Sequence, residues 1–371
     1  MSVSFNIETI RKIFDIKGEF VEYKQNTNGH VNSTFILKFN ENGEIKKYVL
    51  QMISTDIFKN PEGLMSNIVG VTNHIRKKNE EMNTPWVDRC TLTFLPTTQG
   101  KYYYIDENNN CWRVYKFIDD VYTCNVIDNA EVFENAGKSF GEFQNLLADY
   151  DIDSLYDTIE NFHNTVSRFA DFKKAVDENL SGRLQNVKDE VEFAIAREKD
   201  THILVDLIAE GKLPLRVTHN DTKLNNILFD NETDKGICII DLDPVMPGLS
   251  LYDFGDSIRF GANTAAEDEK DVSKVSLDLD LYEAYVKGYL SSAKDALTDL
   301  EKEMLPFGAK LMTYECGIRF LMDYLNGDKY FHTDYDDHNL VRARTQFALV
   351  ADMEKKMDKM QEITKKYCWN P

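Results

Sequence analysis

Residues 217–229 read Val-Thr-His-Asn-Asp-Thr-Lys-Leu-Asn-Asn-Ile-Leu-Phe, so Asp221 stands two residues after His219, with Lys223 and Asn226 just beyond. A second acid, Asp241, follows directly on the apolar run Ile237-Cys238-Ile239-Ile240. Phosphoryl transfer needs a carboxylate to take the proton of the attacking hydroxyl, and an asparagine and an aspartate to hold a divalent cation on the phosphates. In that order Asp221 is the expected base, and Asn226 and Asp241 the expected magnesium ligands. Lys223 is expected to offset charge on the migrating group. A lone His-x-Asp is a common surface-loop pattern; here its spacing, the flanking apolar runs and the strand-rich stretch ahead of it point one way.

Asp253-Phe254-Gly255 spells another metal motif. It follows no apolar strand and comes after the turn-like Pro247-Gly248-Leu249-Ser250, so Asp253 is expected to cap a helix and brace the catalytic loop.

The elements that must position these groups fall into two kinds. Phe35, Leu37 and Phe39 alternate with Thr34, Ile36 and Lys38, and after Asn42-Gly43 comes a second run, residues 48–53. This predicts a hairpin, with a loop longer than two residues. Asn60-Pro61 then opens a helix carrying Leu64, Ile68, Val71 and Ile75. A second hairpin is expected from residues 101–105 to 111–118. Beyond about residue 125 the pattern is helical: Phe133, Phe140, Phe143 and Leu147 share one face, as do Leu184, Val187, Val191 and Ile195. The expected fold class is α+β and two-lobed, with a small antiparallel-sheet lobe over residues 1–120 and a larger, mainly helical lobe over residues 121–371.

The 371 residues carry 42% hydrophobic and 29% charged side chains, ordinary for a globular chain able to build two cores. A net charge of −20 disfavours nucleic-acid and membrane-surface partners. The six cysteines form no C-x-x-C pair, no apolar run reaches membrane-spanning length, and no signal peptide is expected. Reduced thiols in the cytoplasm are the expectation.

Residues 219–241 resemble the aminoglycoside phosphotransferase and choline kinase superfamily. The stretch Ile240-Asp241-Leu242-Asp243, Met246-Pro247-Gly248 and Leu251-Tyr252-Asp253-Phe254-Gly255-Asp256-Ser257-Ile258-Arg259-Phe260 more narrowly resembles the N-acetylhexosamine 1-kinases. Val49-Leu50-Gln51, Phe58-Lys59-Asn60 and residues 67–72 carry the same likeness. It implies a kinase-like fold with ATP and magnesium in the cleft, and an anomeric hydroxyl of GlcNAc or GalNAc as acceptor. Phe260, Arg319 and Tyr330 resemble substrate-pocket positions, alongside Asp221; Trp369 is a further candidate as an aromatic platform for a sugar.

One departure stands out. Kinase-like enzymes carry a phosphate-holding lysine on the third strand, where this chain has Gln51, so magnesium, Lys223 or Lys59 must supply the charge. Nucleotide contacts are expected from Asn28, Gly29, His30, Asn32 and Thr34, in the place of a phosphate-covering turn, and from the backbone of Phe117 and Ile118 at a hinge. Two other functions remain open. One is a kinase of another alcohol, such as an aminoglycoside or choline, for which the acidic Glu267-Asp268-Glu269 could hold a cation. The other is a nucleotide- or sugar-binding pseudokinase, favoured by the missing lysine.

Overall fold

The computed structural model describes residues 5–26, 32–124, 127 and 129–369. It is a mixed α+β structure with an antiparallel-sheet N-terminal region and a helical C-terminal part, and it packs as two compact units. One holds Met1–Tyr122, Asp149–Ile159 and Leu228–Met246; the other holds Thr123–Ala148, Glu160–Ile227 and Pro247–Pro371.

The first unit is built on an antiparallel sheet. Strands Glu19–Asn26, Ser33–Glu41, Glu44–Ile53, Cys111–Lys116 and Tyr104–Ile105 lie side by side in that order. Glu41 pairs with Glu44, so Asn42 and Gly43 alone make the turn, with φ of 56° and 93°. The longer loop expected from sequence is therefore corrected. The strands run on through polar residues whose side chains face solvent, where hydrophobic alternation gives no signal, and left-handed Asn-Gly suits the twist of a two-residue hairpin. One face of the sheet buries Phe35, Leu37, Phe39, Leu50, Trp112 and Val114 against Ile10, Phe14 and Ile16. Each such side chain, fully buried, stabilises the unit by about 1.5–3 kcal/mol.

Helix Pro61–Met82 begins where expected, the Asn60 side chain accepting the Gly63 N–H at 3.0 Å, with Leu64, Ile68, Val71 and Ile75 buried. The unit also takes in a hairpin from far along the chain. Strands Ile227–Asp230 and Gly236–Ile239 form a small sheet with Val121–Tyr122, Val121 lying opposite Asp230 and Tyr122 opposite Phe229. That pairing draws residues 228–246 into this unit, although the sequence division at residue 120 assigns them to the helical lobe.

In the second unit, helices Ala130–Leu146 and Leu279–Ala293 pack together, and Ser250–Gly261 packs on the long Asp299–Asn326, which is flanked by His338–Cys368. Thr298 and Glu301 form a reciprocal capping box at the start of Asp299–Asn326. The single helical face expected over residues 184–195 is broken: a short turn, Leu184–Asn186, precedes helix Lys188–Ile195, and Ile195 is exposed. No helix among the described residues is long and apolar enough to cross a membrane.

Candidate active site

Within the helical unit, strand Arg216–Thr218 delivers the chain into residues 219–226. His219 is fully buried, edge-on to Phe140 and Phe143 at 5.8 and 6.0 Å. Its Nδ1 accepts the backbone N–H of Asp221 at 3.2 Å. Asn220 adopts φ 64°, the left-handed region that asparagine enters more readily than most L residues, and two anchors hold it there. Asp253 accepts the N–H groups of His219 and Asn220, each at 2.8 Å, and Asp256 accepts that of Thr222 at 3.2 Å.

The loop presents a partly exposed Asp221 carboxylate. One oxygen lies 2.8 Å from Lys223 Nζ, and the other accepts from Asn226 Nδ2 at 3.1 Å. Burial opposes the charge on Lys223, but Asp221 and Asp256 outweigh it and the ammonium is pushed up to about 12. The hydrogen bonds of Asn226 run from its Nδ2, to Asp221 Oδ2 and to the Asp221 carbonyl at 2.8 Å, which directs Oδ1 to other uses.

Asp253 sits in the first turn of helix Ser250–Gly261, whose cap position is Leu249. It does not cap its helix as expected, because its carboxylate is spent on the His219 and Asn220 N–H groups and on Gln144 Nε2 at 3.1 Å. Burial, its largest influence, raises its pKa despite those donors. The rest of the Asp-Phe-Gly run is packing. Phe254 is buried against Tyr282, Tyr285 and Tyr289, and a Cβ on Gly255 would come within 2.5 Å of the Gly308 carbonyl.

In the sheet unit, Asp241 is exposed, also left-handed at φ 60°, just past strand Gly236–Ile239. Asp243, two residues on, is 2% exposed and paired with Arg113. Asp241 is therefore the more accessible of the two acids, Asp243 being buried in its ion pair. Asp241 in the sheet unit and Asn226 in the helical unit each carry an oxygen donor of the kind that a hard cation such as magnesium takes, and such a cation would neutralise developing phosphate charge. Asn28, Gly29 and His30 lie outside the described residues. Asn32 bridges Asp243 and the backbone N–H of Ser54, and Thr34 accepts from Gln51 at 3.1 Å. The Phe117 N–H is taken by the Lys47 carbonyl at 3.1 Å, so a hinge contact through this residue would use its carbonyl, with Ile118 next in line.

The acceptor candidates divide. Arg319 and Tyr330 are brought together: the guanidinium lies 5.9 Å from the Tyr330 ring, 5.4 Å from Phe162 and 5.6 Å from Phe331. Asp323 builds this cluster by accepting the backbone N–H groups of Lys329, Tyr330 and Phe331 at 2.9–3.0 Å. Phe260 stands at the end of its helix with 38% of its surface exposed. Trp369 is not part of the cluster. It rests on Lys302, 4.4 Å from ring centre to ammonium, roughly 25 Å from Arg319 along the same helix at 1.5 Å per residue. Sequence reasoning passed over Phe162, Phe331 and Asp323, which carry no local motif, and Arg113, whose signal was a charge inside the buried run Cys111-Trp112-Arg113-Val114.

Residues 101–296 match the phosphotransferase enzyme family known as APH, and the chain belongs to that family. Over 153 residues it is 29% identical to an uncharacterised kinase-like protein of Caenorhabditis elegans. The match covers 40% of this chain and 37% of that protein, so only a little over a third of the relative's length is spanned. Among solved structures, it resembles an aminoglycoside phosphotransferase from Alicyclobacillus acidocaldarius at TM-score 0.59 and 12% identity, covering 99% of this chain and 98% of that one. It also resembles spectinomycin phosphotransferase in complex with ADP and spectinomycin at TM-score 0.55 and 12% identity, covering 95% and 97%. At these identities the likeness is one of fold: the kinase-like fold of these phosphotransferases.

Proposed function

We propose that this phosphotransferase uses ATP and magnesium to phosphorylate the anomeric hydroxyl of an N-acetylhexosamine, GlcNAc or GalNAc, giving the sugar 1-phosphate. Asp221 accepts the hydroxyl proton as the oxygen–phosphorus bond forms and the bond to the departing ADP oxygen breaks. Lys223 holds the Asp221 carboxylate and adds positive charge beside it.

The observation that carries the choice of acceptor is the Arg319 guanidinium set among Phe162, Tyr330 and Phe331. Aromatic faces suit the apolar face of a sugar ring, and a guanidinium donates to hydroxyl and amide oxygens. A second cation, Arg168, lies near enough that Arg319 helps to lower its pKa, after burial. Two arginines in one cluster repel a cationic acceptor. The acidic run that could have welcomed one is occupied: Glu267 binds Arg259 at 2.7 Å, Asp268 lies 3.4 Å from His338, and Glu269 3.5 Å from Lys274.

Aminoglycoside and spectinomycin, named for the solved neighbours, define the competing reading of an aminated acceptor on the same fold. A cytoplasmic setting fits the reading, since none of the six cysteines lies in a C-x-x-C pair. The test is an ATP-consumption screen across free hexosamines, amino alcohols and aminoglycosides, with the product located by phosphorus NMR. Sugar 1-phosphate is expected. Turnover confined to amino alcohols or aminoglycosides, or 1-deoxy-GlcNAc consumed as fast as GlcNAc, would overturn the assignment.

A further inference from the structure

The strand position that carries a lysine in many kinase-like enzymes is Gln51, and the register of the sheet sets Gln51 directly opposite Arg113. Arg113 is 3% exposed. Its Nε and Nη2 donate to Gln51 Oε1 at 3.0 and 2.8 Å, and its Nη1 donates to Asp243 Oδ1. The chain of bonds continues on both sides. Gln51 donates to Thr34 Oγ1, while Asp243 Oδ2 accepts from Asn32 Nδ2 at 2.6 Å. Asn32 in turn accepts the Ser54 N–H at 3.1 Å. Every bond lies within the sheet unit.

Burying an arginine and an aspartate together gains little stability over two apolar residues, since both ions lose their hydration. The pair therefore calls for another reason. Asp243 is two residues from Asp241, and the same segment is held again at Val245, whose carbonyl accepts from the buried Asn67 at 2.9 Å. Asp241, between strand and anchors, is left exposed in a left-handed conformation. Burial works against the charge on Arg113, but Asp243 holds the guanidinium firmly protonated, with a smaller contribution from Asp241.

We propose that Arg113 is a positioning residue for the phosphoryl-transfer reaction: its ion pair with Asp243 fixes the segment that aims Asp241 at the metal–nucleotide complex. Asp243 thereby serves as scaffold and not as a cation ligand, and the missing strand lysine is answered by an arginine on the neighbouring strand acting through Asp243. This rests on the ATP- and magnesium-dependent reading above.

The test is calorimetric titration of the full chain with a non-hydrolysable ATP analogue over a range of magnesium concentrations. The variants are Arg113→Gln/Asp243→Asn, which removes both charges while keeping polar side chains, Arg113→Lys, and Asp241→Asn. The double variant, folded by circular dichroism, is expected to need about 10–100-fold more magnesium for half-maximal nucleotide binding, the usual cost of losing a partner behind a metal ligand. Arg113→Lys is expected to fall between it and wild type, and Asp241→Asn to lose the magnesium response. A folded double variant with wild-type magnesium dependence would reduce the pair to a fold-stabilising contact and overturn the inference. If the double variant fails to fold, Arg113→Lys decides by the same criterion. Wild-type protein that binds no nucleotide with magnesium would instead locate the failure in the underlying reading, and the inference falls with it.

Discussion

Asp253 Oδ1 accepts the backbone N–H of Asn220 at 2.8 Å across 33 residues of chain, while Oδ2 accepts that of His219. A carboxylate buried on helix Ser250–Gly261 thus holds the loop that carries Asp221 in its left-handed turn. The acid that reads as a metal ligand by motif is the loop's anchor.

Asp253→Ala would strand the buried backbone N–H groups of His219 and Asn220 and leave Gln144 Nε2 with its bond to the Val217 carbonyl. Each orphaned donor costs about 1–3 kcal/mol, so a clear drop in melting temperature is expected by calorimetry. Asp241→Ala, at an exposed position, should lower melting by less, the left-handed backbone there suiting Ala poorly, while abolishing magnesium-dependent turnover. The reverse pattern would show that the two acids have been assigned the wrong tasks.

Asp221→Asn keeps the loop's shape and removes the proton acceptor. Turnover should fall on the order of 10²–10⁴-fold, with nucleotide affinity and melting close to wild type. Near-normal turnover in the folded variant would remove Asp221 from the role of base.

Lys223 gives a pH prediction. Folding raises its pKa from 10.5 to about 12, so the pair's stabilisation is fully present below the unfolded value and is lost as pH rises through the folded one. Lys223 stays charged from about pH 7 to about pH 10. The turnover ratio of wild type to Lys223→Gln should therefore be flat across that range. A ratio closing toward one near pH 9 would mean the lysine deprotonates far earlier than its carboxylate neighbours allow.

Arg319→Ala should raise the KM for N-acetylhexosamine roughly 10–100-fold, the equivalent of about 1.5–3 kcal/mol for hydrogen bonds from a charged donor, and leave the KM for ATP unchanged. Trp369→Ala should change neither. Steady-state kinetics with both substrates varied would check this; an effect of Trp369 as large as that of Arg319 would move the acceptor site.

What could be read directly from the chain was local. The proposed catalytic residues Asp221, Lys223 and Asn226 stand within one six-residue stretch. The helix at Pro61–Met82 announces itself through its asparagine cap and its 3.6-residue period, and the sheet core through alternation at Phe35, Leu37 and Phe39. These signals depend on bonds and side-chain directions within a few residues. Pairings across distance were not written that way. Arg113 meets Gln51 across 62 residues and Asp243 across 130, and Arg319 meets Tyr330 because Asp323 gathers the loop after its helix. Asp253, Asp256 and Asp241 are alike as letters; burial, strand register and the unmet N–H groups of a neighbouring loop decided which braces and which stays exposed. Those quantities exist only once the whole chain has packed, because each depends on which surfaces have been removed from water together.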